Sequence, residues 1–344
     1  MSDTIRERTN KFQLLLKGKI ILLTGGAGFI GSHIAETLLK LDISKLIIVD
    51  NLSTGNLDNL KVTGVLDDER VTFHQEDVGD IDVLRNIIEK EPDIDIICHQ
   101  AALGSVPRSV QNPLASHRTN VDGFFNMLDT ARLYGIKRFV YASSSSVYGD
   151  STSLPKTEAG VGEVISPYAA TKKINEIYAN VFSRCYDMEC IGLRYFNVFG
   201  PRQSVNGPYA AVIPRFADAI REGVRPVIYG NGEQSRDFTY VENAVNANIL
   251  AMIVPSINEK SKMPVFGKVY NVASGGRVTL NEMYAIIKQL TGTTLEPLYE
   301  QSRKGDIEHS WASIENATRM LGYYPTISFI EGLKITLEYY NCKK

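Results

Sequence analysis

Tyr168 and Lys172 stand four residues apart in the stretch Ser166-Pro167-Tyr168-Ala169-Ala170-Thr171-Lys172. Ser166 has the side chain of an N-cap and Pro167 suits a first helical turn, so the stretch predicts the start of a helix. The spacing then puts both functional groups on one helix face, an ammonium beside a phenol. A free phenol titrates near ~10. To act as a base at neutral pH its pKa must fall by roughly 3 units, about 4 kcal/mol, and a nearby cation works in that direction. The serine run Ser143 to Ser146 lies upstream. A tyrosine and a lysine at this spacing also occur on ordinary helix surfaces, so their weight depends on the elements that position them.

Those elements begin with Lys19-Ile20-Ile21-Leu22-Leu23-Thr24, an apolar run of strand length, and Gly25-Gly26-Ala27-Gly28-Phe29-Ile30-Gly31 directly after it. An amphipathic stretch, Ser32 to Leu41, predicts a helix, and the apolar run Lys45 to Val49 predicts a second strand closed by Asp50. Strand, glycine turn, helix, strand and acid make up the dinucleotide fingerprint, here with its glycines at Gly25, Gly28 and Gly31. The turn lets a pyrophosphate approach the backbone at the helix N-terminus. Asp50 is expected to accept hydrogen bonds from the adenosine ribose and to repel a 2'-phosphate, which favours NAD over NADP.

The alternation continues with a strand from Val71 to Gln75, a helix from Ile81 to Lys90 and a buried strand from Ile94 to His99. Gln100-Ala101-Ala102-Leu103-Gly104 follows, mostly small residues that let a flat cofactor pass close to backbone. Pro113 to Tyr134 reads as one long helix containing Asn120, and Lys137 to Ala142 as a strand running into Ser143. The helix after Tyr168 is expected to reach about Tyr186, and a strand from Cys190 to Phe196 to enter Asn197-Val198-Phe199-Gly200-Pro201-Arg202-Gln203. This predicts an α/β protein with a Rossmann-like doubly wound parallel sheet and ligands at the carboxyl ends of the strands. The expected organisation is an N-terminal extension (1–17), an NAD-binding unit (18–198) and a smaller, mainly substrate-binding C-terminal region (199–344). In that last region short strands at Val227 to Tyr229, Asp237 to Tyr240 and Val269 to Ala273 separate helices, and Arg236, Arg303 and Arg202 could bind a diphosphate bidentately.

With 344 residues, 22% charged and 44% hydrophobic, the composition is that of a globular protein with a large core. A formal charge of -2 creates no basic field, so nucleic acid is not an expected partner. No signal-peptide pattern or bilayer-length apolar segment is visible, and a cytoplasmic location without membrane attachment is expected. Cys98, Cys185, Cys190 and Cys342 lack the spacing of a metal site and are expected to be buried free thiols.

Together TGGAGFIG, DNLSTG, the DV at Asp77, HQAA, SSSSVYG, YAATK, LRYFNVFGPRQ, RDFTYV and RKGD resemble the extended short-chain dehydrogenase/reductases. Within them the chain resembles the UDP-hexose 4-epimerases, those acting on UDP-N-acetylglucosamine and UDP-GalNAc most of all. The resemblance covers nearly everything from Lys19 onward and implies a tightly held NAD. It carries cofactor contacts onto Gly25, Gly28, Phe29 and Ile30 in the turn, and onto Asp50, Asn51, Ser53 and Gly55 after the second strand. Asp77, Val78, Gln100, Ala101, Ala102 and Asn120 follow, then Tyr168, Lys172, Tyr195 and Val198. Gly104 departs from the pattern, since galactose epimerases commonly carry a lysine there.

The resemblance also implies a mechanism. Tyr168 would take the proton from the sugar 4-hydroxyl as hydride passes from C4 to the nicotinamide, and Ser144 would hydrogen-bond the same oxygen. Lys172 would hold the nicotinamide ribose and lower the tyrosine pKa. The 4-keto sugar would turn over and take the hydride back on its other face. Asn197, Arg236, Arg303 and Asp306 would hold the nucleotide diphosphate, with Val212 and Tyr229 also lining the substrate site. The Asp-Glu pair of nucleotide-sugar 4,6-dehydratases is replaced by Ser145 and Ser146, which argues against elimination and weakens a decarboxylase reading. A uronate 4-epimerase shares the same core. An NAD-sensing protein without turnover would be expected to have lost the Tyr/Lys pair or the serine, and a ketoreductase would release NAD every cycle.

Ser310 stands where the family places a large residue that walls off the N-acetyl region, and Ala211 is small where simple-hexose epimerases carry a longer polar side chain. The implied substrates are UDP-GlcNAc and UDP-GalNAc, with Ser105 and Gln203 as possible further contacts and UDP-Glc/UDP-Gal as the alternative. A homodimer through the helix at Pro113 to Tyr134 and the helix carrying Tyr168 is implied too, and supply of surface polysaccharide would fit the sugar.

Overall fold

The sheet strands are almost unbroken apolar runs because a parallel sheet is covered by helices on both faces. The computed structural model describes residues 3–91, 93–205, 210–302 and 308–342. Its first half comprises α1 (Asp3–Leu16), β1 (Ile20–Thr24), α2 (Phe29–Leu39), β2 (Lys45–Val49), the single turn α3 (Asp58–Lys61), β3 (Val71–His74), α4 (Ile81–Lys90) and β4 (Ile96–His99). Next come α5 (Val106–Gln111), α6 (Pro113–His117), α7 (Gly123–Leu133), β5 (Arg138–Ser144), α8 (Pro167–Cys185) and β6 (Glu189–Tyr195). The remainder contributes β7 (Val198–Phe199), α9 (Val212–Arg221), β8 (Val227–Tyr229), β9 (Ser235–Arg236), β10 (Thr239–Tyr240), α10 (Val241–Ile253) and β11 (Lys268–Val272). It ends with β12 (Val278–Thr279), α11 (Leu280–Thr291), β13 (Leu298–Glu300), β14 (His309–Ser310), α12 (Glu315–Leu321) and α13 (Phe329–Tyr339).

Seven strands pair in the order β11-β6-β5-β4-β1-β2-β3, every pair parallel. Alternation along β1 assigns Ile21 and Leu23 to one face, with α2 and α10, and Leu22 to the other, with α4, α7 and α8. The chain winds outward from β1 to β3 and then the other way from β4, so the loops after β1 and β4 diverge and leave a crevice between them. This is the Rossmann-like doubly wound architecture expected from the alternation.

Several expectations change. The sheet does not end near residue 198: β11 pairs with β6 as its seventh strand, and α10, buried along nearly its whole length, packs on α2 and the sheet. The sheet thus draws on residues from both proposed units. The N-terminal extension is a helix that buries Phe12 and Leu16 and packs on α10. The long helix from Pro113 to Tyr134 is interrupted by a π-turn at Arg118–Asp122. Cys98, Cys190 and Cys342 are buried, but Cys185 is exposed at the last turn of α8, where that helix has left the core. Among the described residues no helix is long and apolar enough to cross a membrane, and no group of His, Cys, Asp and Glu could hold a metal ion.

Two histidines are enclosed as neutral rings. Burial, and then the charge of Lys172, push His99 down to about 3; its Nδ1 lies 3.0 Å from Thr24 Oγ1, tying β4 to β1. Burial and the neighbouring Arg202 push His33 on α2 down to about 4. An unfolded histidine binds a proton below about 6.5. As pH falls from there the unfolded chain takes up protons that the folded chain refuses, so these groups contribute stability above about pH 6.5 and lose it on acidification. We expect His99→Gln to remove part of this slope: the wild-type minus variant difference in urea unfolding free energy should shrink by up to about 1.4 kcal/mol per pH unit between pH 6.5 and 4. A difference independent of pH would show that His99 titrates alike in both states.

Candidate active site

The glycine turn is needed sterically. Gly25 has φ +69°, and a Cβ there would meet Ala101 N at 2.7 Å; a Cβ at Gly31 would meet Gly25 O at 2.0 Å. The backbone therefore closes tightly on the loop after β4. Gly28 caps α2 in an extended conformation with no side-chain hydrogen bond to the first turn, which leaves the helix N-terminus to a ligand. Asp50, at the end of β2, accepts from Ala27 N (2.9 Å) and Leu52 N (2.8 Å). Burial raises its pKa, and these backbone bonds pull the other way.

From this turn a cleft of about 360 Å³ runs across the strand ends to Tyr168. Its lining brings together Gly25, Gly28, Phe29 and Ile30, then Asp50, Asn51, Ser53 and Val78, and finally Gln100, Ala101, Ala102, Tyr168, Lys172 and Tyr195. These residues fit a dinucleotide: an uncapped helix N-terminus for the phosphates, a carboxylate for the ribose, and small side chains along the floor. Gly104 lines the cleft as well, and a Cβ there would meet nothing within 4 Å. Arg108, Thr119 and Glu76 also line it and were missed from the sequence, where no local pattern distinguishes them.

Four residues expected in contact with the cofactor lie outside that lining. Gly55 passes against Asp50, where a Cβ would sit 2.9 Å from Oδ1. The Asp77 carboxylate accepts from Asn51 Nδ2 (2.8 Å) and Gly79 N (2.7 Å), so it orients a cleft residue. Asn120 is buried in the π-turn; its Oδ1 accepts from Leu103 N (2.7 Å), and its Nδ2 donates to Leu103 O and Thr171 Oγ1 (both 3.1 Å). It ties the loop after β4 to α8. Val198 lines a second cavity instead.

The helix that presents the tyrosine starts as predicted, with Ser166 Oγ accepting from Ala169 N and Pro167 in the first turn. Tyr168 N donates to Ser109 Oγ (3.0 Å), fixing α8 against α5. The Lys172 Nζ donates to Ala142 O at the end of β5 (2.9 Å). Burial pushes the Lys172 pKa down to about 8, opposed by Glu176. The Tyr168 pKa is raised by burial, and a hydrogen bond with Ser144 acts to lower it. In the protein by itself the phenol's acidity is thus governed by its enclosure and Ser144, and the lysine is directed to a backbone carbonyl.

A second cavity of about 250 Å³ is lined by Asn197, Val198, Ala211, Val212, Tyr229 and Arg236, together with Phe199, Arg215, Gln234 and Phe238. The sequence reading missed those last four. Ser310 does not line it; β14 pairs in parallel with β9, setting Ser310 opposite Arg236. Ser105 lines neither cavity: it caps α5, its Oγ accepting from Arg108 N. Gln203 also lies outside both, its Nε2 donating to Val198 O (3.0 Å) and its Oε1 buried without a partner. Arg202 lines neither cavity. It is buried, pairs with Glu36 at 2.9 Å and lies 3.2 Å from His33 Nε2, fastening the loop after β7 to α2. Arg303 and Asp306 lie outside the described residues.

One further residue has no counterpart in the sequence reading. Gln100 Nε2 donates to Asn248 Oδ1 (3.1 Å), Asn248 Nδ2 to the Tyr195 hydroxyl (2.8 Å), and that hydroxyl to Gln100 Oε1 (2.9 Å). The three side chains close a ring at the cleft wall, linking the loop after β4 to β6 and α10.

Comparison with known proteins agrees with this geometry. Residues 21–273 match the NAD dependent epimerase/dehydratase family. Among solved structures the chain is similar to a UDP-N-acetylglucosamine 4-epimerase from Methanobrevibacter ruminantium M1 in complex with UDP-N-acetylmuramic acid: 40% identity, TM-score 0.85, covering 94% of this chain and 99% of that one. It is similar to the UDP-glucose 4-epimerase of Thermotoga maritima with UDP-glucose at 35% identity and TM-score 0.85, covering 93% and 98%. The UDP-glucose 4-epimerase of Mycolicibacterium smegmatis is 32% identical, over 94% of this chain and 98% of the relative. Replacing the cleft carboxylate tests the dinucleotide fit: Asp50→Ala should weaken NAD binding at least tenfold by calorimetry and narrow the preference for NAD over NADP. Unchanged affinity for both would remove Asp50 from the cofactor site.

Proposed function

This chain belongs to the NAD dependent epimerase/dehydratase family, as an isomerase of the UDP-sugar 4-epimerase kind, and from that premise we propose that it interconverts UDP-GlcNAc and UDP-GalNAc. The observation that carries the N-acetyl preference is a pair of small side chains: Ala211 in the wall of the second cavity and Ser310 in register with Arg236. Ala211 adds little bulk to that wall, and the family resemblance puts Ser310, which lies outside the lining, where a large residue would close off the N-acetyl region. The 40% identity to a UDP-N-acetylglucosamine 4-epimerase supports the same reading. UDP-Glc and UDP-Gal are the second reading, favoured by the similarity to UDP-glucose 4-epimerases.

Bound NAD would supply the acceptor and returning donor of the C4 hydride, and a positive charge. The chain's own residues do the rest. Tyr168 accepts the proton of the 4-hydroxyl and later returns it, and Ser144 hydrogen-bonds at the same point. Lys172 would hold the nicotinamide ribose and add its charge. Asn197 and Arg236, with Arg303 and Asp306, anchor the diphosphate, so the sugar alone turns between the two hydride transfers. Asp50, Asn51 and Ser53, which line the same cleft, would hold the adenosine end. The substrate is a UDP-sugar and the working unit a homodimer. Leu114 on α6 and Ile177, Tyr178 and Val181 on α8 expose apolar surface on the two elements that would pair.

Purified protein incubated without added cofactor should convert UDP-GalNAc to UDP-GlcNAc faster than UDP-Gal to UDP-Glc, read by chromatography of the nucleotide sugars. Ser310→Tyr should reverse that order, and Tyr168→Phe should lower kcat roughly 100- to 10,000-fold for both. A wild-type preference for UDP-Gal would reject the N-acetyl reading and leave the epimerase. The double substitution Ile177→Glu, Val181→Glu should convert a dimer to a monomer by light scattering; a wild-type monomer would dismiss the proposed interface.

A further inference from the structure

Four residues after Lys172, on the same face of α8, stands a carboxylate enclosed by three elements. Glu176 is only 7% exposed. Its Oε1 accepts from Ser143 Oγ (2.6 Å) and from Arg194 Nε (2.8 Å), and its Oε2 accepts from Arg194 Nη2 (2.8 Å). Arg194, on β6, is itself 2% exposed; it lies over the Tyr148 ring at 4.9 Å and donates to Glu158 O (3.1 Å). An enclosed ion pair of this kind is often no more stabilising than an apolar pair of similar volume. What sets this one apart is its third partner, Ser143, which lines the cleft between Ala142, the acceptor for Lys172, and Ser144, the partner of Tyr168.

We propose that Glu176 is a positioning residue of the reaction: its carboxylate maintains Lys172 as an ammonium and fixes the end of β5 against α8. This rests on the proposed roles of Tyr168, Lys172 and Ser144. The lysine is buried deeply enough that its charge is disfavoured, and the charge of Glu176 counteracts that burial. The short Ser143 bond to a charged acceptor ties the strand end to the helix that carries the tyrosine. Other groups face the same place. Tyr168 and Lys173 share α8 with Lys172, and His99 from β4 and Tyr141 from β5 are neutral near pH 7. From β6 come Arg194, matched by Glu176, and the neutral Tyr195; Arg108 of α5 borders the same cleft, and Tyr148 and the Glu158 carbonyl close off the Arg194 side. Of these, Glu176 is the anion that supports the ammonium.

The test compares the pH profiles of kcat/KM for wild type, Glu176→Gln, and the double variant Glu176→Gln, Arg194→Met, with whichever nucleotide sugar turns over. Losing the anion lets Lys172 lose its proton at lower pH, so the high-pH limb of both variants should move down by about one pH unit. NAD content per protomer, measured after heat release, should stay at the wild-type level. The double variant leaves no unmatched charge, so it carries the test if the single variant fails to fold. If the ion pair served only to hold the fold together, the double variant would return the wild-type profile, and the proposal would be overturned. Profiles lowered uniformly without displacement would overturn it equally. Lys172→Met run alongside separates the premise: wild-type turnover in that variant would refute the reading of the lysine itself, and Glu176 with it.

Discussion

A sheet whose strands all run the same way must gather their carboxyl ends along one rim, and the rest of this molecule is arranged around that constraint. The rim is where each strand hands the chain to a loop, where α2 begins without a side-chain cap, and where α8 begins with one. Reversal of the winding between β1 and β4 keeps their loops from closing over the middle. The glycine turn, the Asp50 carboxylate and the Tyr168 phenol come from parts of the chain far apart in sequence, yet they border one cleft. Burial of both sheet faces supplies the rigidity, since Ile21 and Leu23 on one side and Leu22 on the other are fully enclosed.

The portion after residue 198 forms nearly all of the second cavity's wall and also returns to the sheet. Of the short strands, β8, paired with β13, and β9, paired with β12 and β14, line that cavity, and α10 and β11 are built into the nucleotide-binding layer. The two proposed units are therefore not independent bodies joined by a linker. The Arg202 contact to His33 and Glu36 adds a second tie, from the loop after β7 to the helix behind the glycine turn. Movement of that loop must be felt along α2.

Local chemistry was legible in the sequence. The N-cap at Ser166, the glycine spacing, the Asp50 that closes β2 and the strand and helix alternation each depend on neighbours a few residues away, and each lies where the spacing predicts. What could not be read depends on distant partners. The apolar residues of α10 have no polar face to orient them, so nothing local announces that they cover the sheet. The π-turn at Arg118–Asp122 inserts its extra residue without breaking the apolar pattern, and it holds Asn120, whose partner Leu103 lies on another loop. Lys172 illustrates the same limit: its spacing from Tyr168 was plain, but its bond to Ala142 O belongs to the packing of α8 on β5. For Arg202 the motif was visible while its direction was set by α2.

The ring formed by Gln100, Asn248 and Tyr195 has a bearing on how such a chain can change over time. Asn248 Nδ2 also donates to Ala244 O (2.8 Å), a group that can only accept, and this fixes that amide and with it the sense in which the ring circulates. None of the three can be exchanged alone without stranding a donor or an acceptor in the cleft wall. Positions just after β4, on β6 and on α10 are thereby bound into one heritable unit. A lineage can drift at each of them only by passing through a costly intermediate or by changing two together, and this ties the history of the cleft to a helix that never touches it.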